Sequence, residues 1–131
     1  MKYKLEKLNK SAKVDSKATS YEEVGNPVYP HIRPYLDKIG ADYKNKRAER
    51  LQYGDGDYYD YIIVMEARNL TAVKSIVDSK NYGKIFRLCD FTSSPHDVAD
   101  PWYTRDFDKC YKEIDFALDE FIDFLVKNKL I

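Results

Sequence analysis

Cysteine and histidine are scarce in this chain: Cys89, Cys110, His31 and His96 are the only ones among 131 residues. Two cysteines so far apart make a poor disulfide framework. Neither has a metal-ligand partner at useful spacing, and the histidines are isolated as well. A secreted disulfide scaffold and a zinc site are both disfavoured, and a reduced cytosolic protein is the simpler reading. Net charge is also missing, with 22 basic and 22 acidic residues. Affinity for a phosphate backbone grows from basic excess, so nucleic acid is a poor partner for this chain. No apolar run approaches the ~20 residues that span a bilayer. The opening "MKYKLEKLNK" is charged throughout and has no h-region of a signal peptide. The expectation is a cytoplasmic protein with no membrane partner. Its length fits one domain, residues 1–131, around one hydrophobic core.

Tyrosine, by contrast, is abundant, with 12 residues. Several lie in polar stretches such as "YGDGDYYDY" (53–61), where a ring packs while its hydroxyl stays wet.

The apolar spacing predicts an alternating order of elements. Leu5, Leu8 and Ala12 recur at helical spacing near the start, although Met1, Tyr3 and Leu5 also alternate as in a strand. "AKVDS" reads as a short strand around Val14, and residues 17–30 read as a long irregular loop. Pro30 opens a helix carrying Ile32, Tyr35, Leu36 and Ile39, which Gly40 stops. "YIIVM" (61–65) is the clearest strand, apolar on both faces as in a buried parallel sheet. "NLTAVKSIVDS" follows as a helix and "KIFRLC" (84–89) as a further strand. A long amphipathic helix runs over about 106–128. This order, helix and strand in turn, predicts an α/β domain with a parallel sheet flanked by helices.

In such a sheet the functional loops lie at the carboxyl ends of the strands. The loop after Leu88 holds "DVADPWYT" (97–104), an acid set before a proline and two large aromatics. Taken alone, that stretch also reads as a turn whose rings pack on the domain. Together with "VDSKATSYEEVGNPVYP" (14–30), "KRAERL" (46–51) and "YDYIIVMEARNL" (59–70), it resembles the low-molecular-weight protein tyrosine phosphatases, in particular those of Gram-positive bacteria. The resemblance covers essentially the whole chain.

What the resemblance implies is specific. Asp100 takes the place of the general acid, which delivers a proton to the leaving phenolate and later takes one from water. Trp102 and Tyr103 match the aromatics that border the phosphotyrosine ring. Tyr21 and Glu22 would form the opposite wall, and Ser16 matches a serine that supports the phosphate-binding loop. The substrate would be a phosphotyrosine-containing protein or a small phosphate ester, hydrolysed through a cysteinyl-phosphate without metal or cofactor.

The family's reaction centre is Cys, five residues, then Arg, after the first strand. Six positions beyond Cys89 stands Pro95, and six beyond Cys110 stands Phe116. The resemblance places Met1 inside the family's first helix, so the sequence reads as a truncated family member, inactive as this chain. Loss of a central strand leaves about three strands. It implies rescue by a strand at "MKYKLEK", by closing up into a three-stranded sheet, or by exchange in a homodimer. Two other readings remain: a non-catalytic, dimerising interaction protein, and, ranked last, an arsenate reductase-like enzyme.

Overall fold

The structure is a computed structural model that describes residues 1–131. Its ordered elements are α1 (Lys2–Lys7), α2 (Arg33–Ile39), α3 (Asp55–Tyr58), β1 (Ile62–Val64), α4 (Ala67–Lys74), β2 (Ile85–Arg87), α5 (Pro101–Thr104) and α6 (Phe107–Lys127). The two strands pair in parallel, Ile62 opposite Ile85, Ile63 opposite Phe86 and Val64 opposite Arg87. A parallel pair needs a crossover, and α4 supplies it, packing on both strands.

β1 explains the two-layered core through the period of two along a strand. Ile62 and Val64 turn to one face and meet Val73, Val77 and Leu51 beneath α4. Tyr61, Ile63 and Met65 turn to the other and meet Phe121, Leu125 and Ala117 of α6. α6 buries Cys110, Ala117, Phe121, Ile122 and Leu125; of the apolar residues at helical spacing along it, Phe121, Ile122 and Leu125 are buried while Phe107, Tyr111, Ile114 and Leu118 stay half-buried. Each fully buried large side chain contributes roughly 1.5–3 kcal/mol of hydrophobic stabilisation, so both faces of the sheet hold their helix firmly.

Local chemistry sets the helix ends. The N–H of Glu66 donates to Asn69 Oδ1 at 3.0 Å, and the Glu66 carboxylate accepts from the N–H three residues on, closing a capping box at the start of α4. Gly40 ends α2 with φ of 75°, the left-handed conformation a glycine adopts without a Cβ penalty.

The sheet has two strands rather than the expected three. "AKVDS" forms no strand; an isolated bridge from Ala18 to Arg50 is the nearest parallel pairing. A strand is held by ladder bonds to a neighbour, and a segment with one apolar side chain, the half-buried Val14, has little else to fix it. "MKYKLEK" is not a strand either. It is α1, with Leu5 buried and Lys4 bridging Asp115 and Asp119 of α6 at 2.9 and 2.8 Å. β1 therefore has a strand neighbour on the β2 edge alone. No helix is long and apolar enough to cross a membrane.

Candidate functional site

At the carboxyl ends of β1 and β2 the chain turns into the segment that holds "DVADPWYT". Three contacts anchor it. The N–H of Val98, a side chain only 2% exposed, donates to the Met65 carbonyl at 3.0 Å. Asp97 accepts from the Ala67 N–H at 2.9 Å and from Arg87 Nη1 at 2.9 Å. Arg87 is held in turn by Asp90, at 2.9 Å through Nη2 and 3.1 Å through Nε. The Asp97 side chain thus joins the loop both to Arg87 at the end of β2 and to the start of α4.

The Arg87 guanidinium, with the Ala67 N–H assisting, holds the Asp97 carboxyl below the usual carboxylate range. A carboxyl whose pKa is lowered in the folded state contributes stability above its unfolded pKa of about 4, and loses it as pH falls through the lower folded value. Acidification below pH 4 is therefore expected to loosen this loop before the core melts. The only tryptophan, Trp102, reports it. Its emission should change on acidification while far-ultraviolet circular dichroism holds, and Asp97→Asn should show the loosened emission already at pH 7. An emission indifferent to both would count against the anchor.

Beyond the anchor, Asp100 stands before Pro101 with extended backbone (φ −68°, ψ 118°), as a residue preceding proline prefers. Its Oδ1 accepts from the Trp102 N–H at 2.9 Å and caps α5, where Pro101 needs no N–H partner. Its Oδ2 lies 3.5 Å from Arg68 Nη2. The same guanidinium pairs with Glu66 at 3.1 Å and lies over the Tyr103 ring, 5.4 Å from its centre. Arg105 ends α5 with φ of 61°, so the chain reverses there and the Arg105 guanidinium lies over both Trp102 and Phe107. Behind Trp102 the rings of Tyr29, His31 and Phe107 form a stack, Tyr29 to Trp102 at 5.3 Å and His31 to Phe107 at 5.0 Å.

Asp100, Trp102, Tyr103 and Glu22 come together around one cavity of about 740 Å³, with Tyr29 and Phe107 in its wall. Four of the six residues singled out in the sequence therefore share a site. Tyr21 is not among its lining residues: its ring, 72% exposed, lies beneath the Arg50 guanidinium at 4.4 Å. Ser16 lines a second cavity, of about 570 Å³, that shares Val28 with the first, and its carbonyl accepts from Lys46 Nζ at 3.3 Å. Glu23, Arg33, Arg68 and Arg105 escaped the sequence reading. Arg68 and Arg105 find their partners only through the fold or the turn after α5, and no periodicity marks such residues.

Neither cysteine reaches this cavity. Cys89 is 1% and Cys110 8% exposed. Burial, reinforced by the Glu113 carboxylate, pushes both thiols up from their ordinary value, which suppresses the thiolate.

The elements define an α/β domain with its candidate site beyond the carboxyl ends of the strands, and comparison with known proteins gives the family. The model of the low molecular weight phosphotyrosine protein phosphatase family matches residues 1–130, and the chain belongs to that family. It is 30% identical over 124 residues to the low molecular weight protein-tyrosine-phosphatase YfkJ of Bacillus subtilis, covering 93% of this chain and 80% of that protein. It is likewise 30% identical over 117 residues to PtpA of Staphylococcus aureus, covering 88% of this chain and 74% of the relative. The crystal structure of YfkJ superposes with a TM-score of 0.84 at 29% identity, over 89% of this chain and 75% of that one. Wzb of Vibrio vulnificus, solved with benzylphosphonate, shares the fold at a TM-score of 0.80 and 22% identity, over 94% and 86% of the two chains.

Proposed function

We propose that residues 1–131 carry the acid and recognition half of a phosphotyrosine phosphatase, with Asp100 as general acid and base and with Trp102, Tyr103 and Glu22 bordering the substrate ring. By itself this chain does not turn over phosphate esters. The observation that carries the reading is the Asp100 carboxylate, oriented by the Trp102 N–H and Arg68, in the wall of the cavity shared with Trp102, Tyr103 and Glu22. In the family reaction a thiolate attacks phosphorus and displaces the phenolate, which takes its proton from the acid. The resulting carboxylate then takes a proton from the water that cleaves the cysteinyl-phosphate. On this reading Asp100 makes both proton transfers. The thiolate and the backbone cradle for the phosphate are not supplied by Cys89 or Cys110. On this reading Ser16, which lines the adjoining cavity, would support such a cradle. The substrates that fit are phosphotyrosyl proteins and aryl phosphates.

A chimera tests the reading. A strand and a Cys-five-residue-Arg loop joined ahead of Met1 should bring vanadate-sensitive hydrolysis of para-nitrophenyl phosphate. Asp100→Asn in that chimera should then lower kcat by roughly 10²-fold or more, the usual share of a positioned acid. Asparagine caps helices as well as aspartate, so α5 persists and the loss reports proton transfer. A folded chimera without turnover, or one indifferent to Asp100→Asn, would overturn the reading.

A further inference from the structure

The charged residues that line the cavity are mostly acidic. Glu22, Glu23 and Asp100 all line it, against a single basic lining residue, Arg33. Arg33 is partly committed, its Nε donating to the Val28 carbonyl at 2.8 Å. The other two guanidiniums nearby are not lining groups: Arg68 lies over Tyr103 and pairs with Glu66 and with Asp100, at 3.5 Å, and Arg105 lies over Trp102 and Phe107, which leaves the two glutamates as the uncompensated charges. Glu22 has neither an ion-pair partner nor a hydrogen bond from its side chain, and Glu23 accepts only from the Asn26 amide, at 2.7 Å. Both glutamates are exposed. The cavity thus carries, besides its aromatic wall, a pair of adjacent glutamates without an ion-pair partner.

We infer that this cleft selects phosphotyrosyl peptides carrying a basic residue beside the phosphotyrosine, with Glu22 and Glu23 as the specificity-determining residues. The inference rests on the phosphotyrosine reading of the site. The ring of the central residue would pack on Trp102 and Tyr103, an apolar contact open to any aryl group. A flanking arginine or lysine would meet the Glu22–Glu23 rim and offset the repulsion between the phosphate dianion and these two glutamates. An acidic flank would add to that repulsion. Opposed charges on a solvent-exposed rim are worth up to about fivefold in affinity each, so two flanking charges should yield a preference of roughly tenfold. Because the rim is wet, the preference should fade with salt: the screening length falls from ~10 Å at 0.1 M to ~3 Å at 1 M.

Three acetylated, amidated peptides test this on the 131-residue chain, through Trp102 emission: Arg-phosphotyrosine-Arg, Glu-phosphotyrosine-Glu and Arg-Ala-Arg. The basic phosphopeptide should bind roughly tenfold more tightly than the acidic one at 50 mM salt. The ratio should fall toward one at 0.5 M salt and in the Glu22→Gln, Glu23→Gln double variant, and should invert in the Glu22→Lys, Glu23→Lys double variant. Equal binding of the two phosphopeptides, or a ratio untouched by the glutamate variants, overturns the inference and leaves the phosphotyrosine reading standing. Arg-Ala-Arg binding as tightly as Arg-phosphotyrosine-Arg overturns the aromatic-wall reading instead. No saturable signal from either phosphopeptide at millimolar concentration overturns both.

Discussion

The pure 131-residue chain, incubated with para-nitrophenyl phosphate, is expected to release nitrophenolate no faster than the buffer does. Enzymes of this kind accelerate ester cleavage by at least ~10⁶-fold, and that factor depends on an activated nucleophile held in a phosphate cradle. Here both thiols lie in the core, and burial raises their pKa. A thiolate in such a place is costly, and a phosphate dianion has no route to it. Neither cysteine is followed by arginine at the sixth position; Pro95 and Phe116 stand there. Asp100, the proposed acid, would have no reaction to assist without a nucleophile, so the roughly 10²–10⁴-fold that a positioned acid contributes in a working site is not expected here. A robust, vanadate-sensitive release of nitrophenolate would overturn this expectation and would require a nucleophile among residues not considered above.

Phe121→Ala is expected to destabilise the fold by about 3–5 kcal/mol, the cost of removing a large ring from a packed core and leaving a cavity. Phe121 is 4% exposed on the inner face of α6. Its ring meets Phe91 at 4.7 Å between centres and Tyr61 at 5.8 Å. The side chain therefore joins α6 to the residue before β1 and to the turn after β2. With total stability of ~5–15 kcal/mol, the loss should pull the urea midpoint down sharply or leave the chain partly unfolded at 37 °C. Phe116 on the same helix is the control: it is 58% exposed, and Phe116→Ala should shift stability by no more than about 0.5 kcal/mol. A Phe121→Ala loss below 1 kcal/mol would mean that α6 is not what holds this face of the sheet.

The helices and strands with strong periodicity were legible in the chain itself. Helix α6 and β1 form where their spacing placed them, with Phe121, Ile122 and Leu125 of the helix and Val64 of the strand buried, because period and burial are closely linked there. Gly40 marked the end of α2 for an equally local reason, its left-handed backbone. "AKVDS" failed for a non-local one. A strand is completed by a neighbour's ladder bonds, and no run of residues announces whether that neighbour will be there. The same holds in the site. Asp100, Trp102 and Tyr103 are contiguous with the proline that fixes their approach, so they were readable together. Tyr21 and Glu22 are adjacent, yet one ring lies beneath Arg50 and the other side chain lines the cavity. That choice belongs to the loop's path and to the arginine at position 50.

What the chain determined by itself was thus a family, an α/β alternation and an acid loop stiffened by proline. These are properties of residue type and spacing. What the tertiary structure alone decided was the anchorage of that loop through Asp97 and Arg87, and the pairing of Asp100 and Tyr103 with Arg68. It also decided that Glu22 and Glu23, and not Tyr21, line the cavity with the aromatic wall. Each of these joins residues ten or more positions apart, up to about eighty for the rim and the wall. The energy of a charge or a ring depends on what the fold brings within a few ångströms of it.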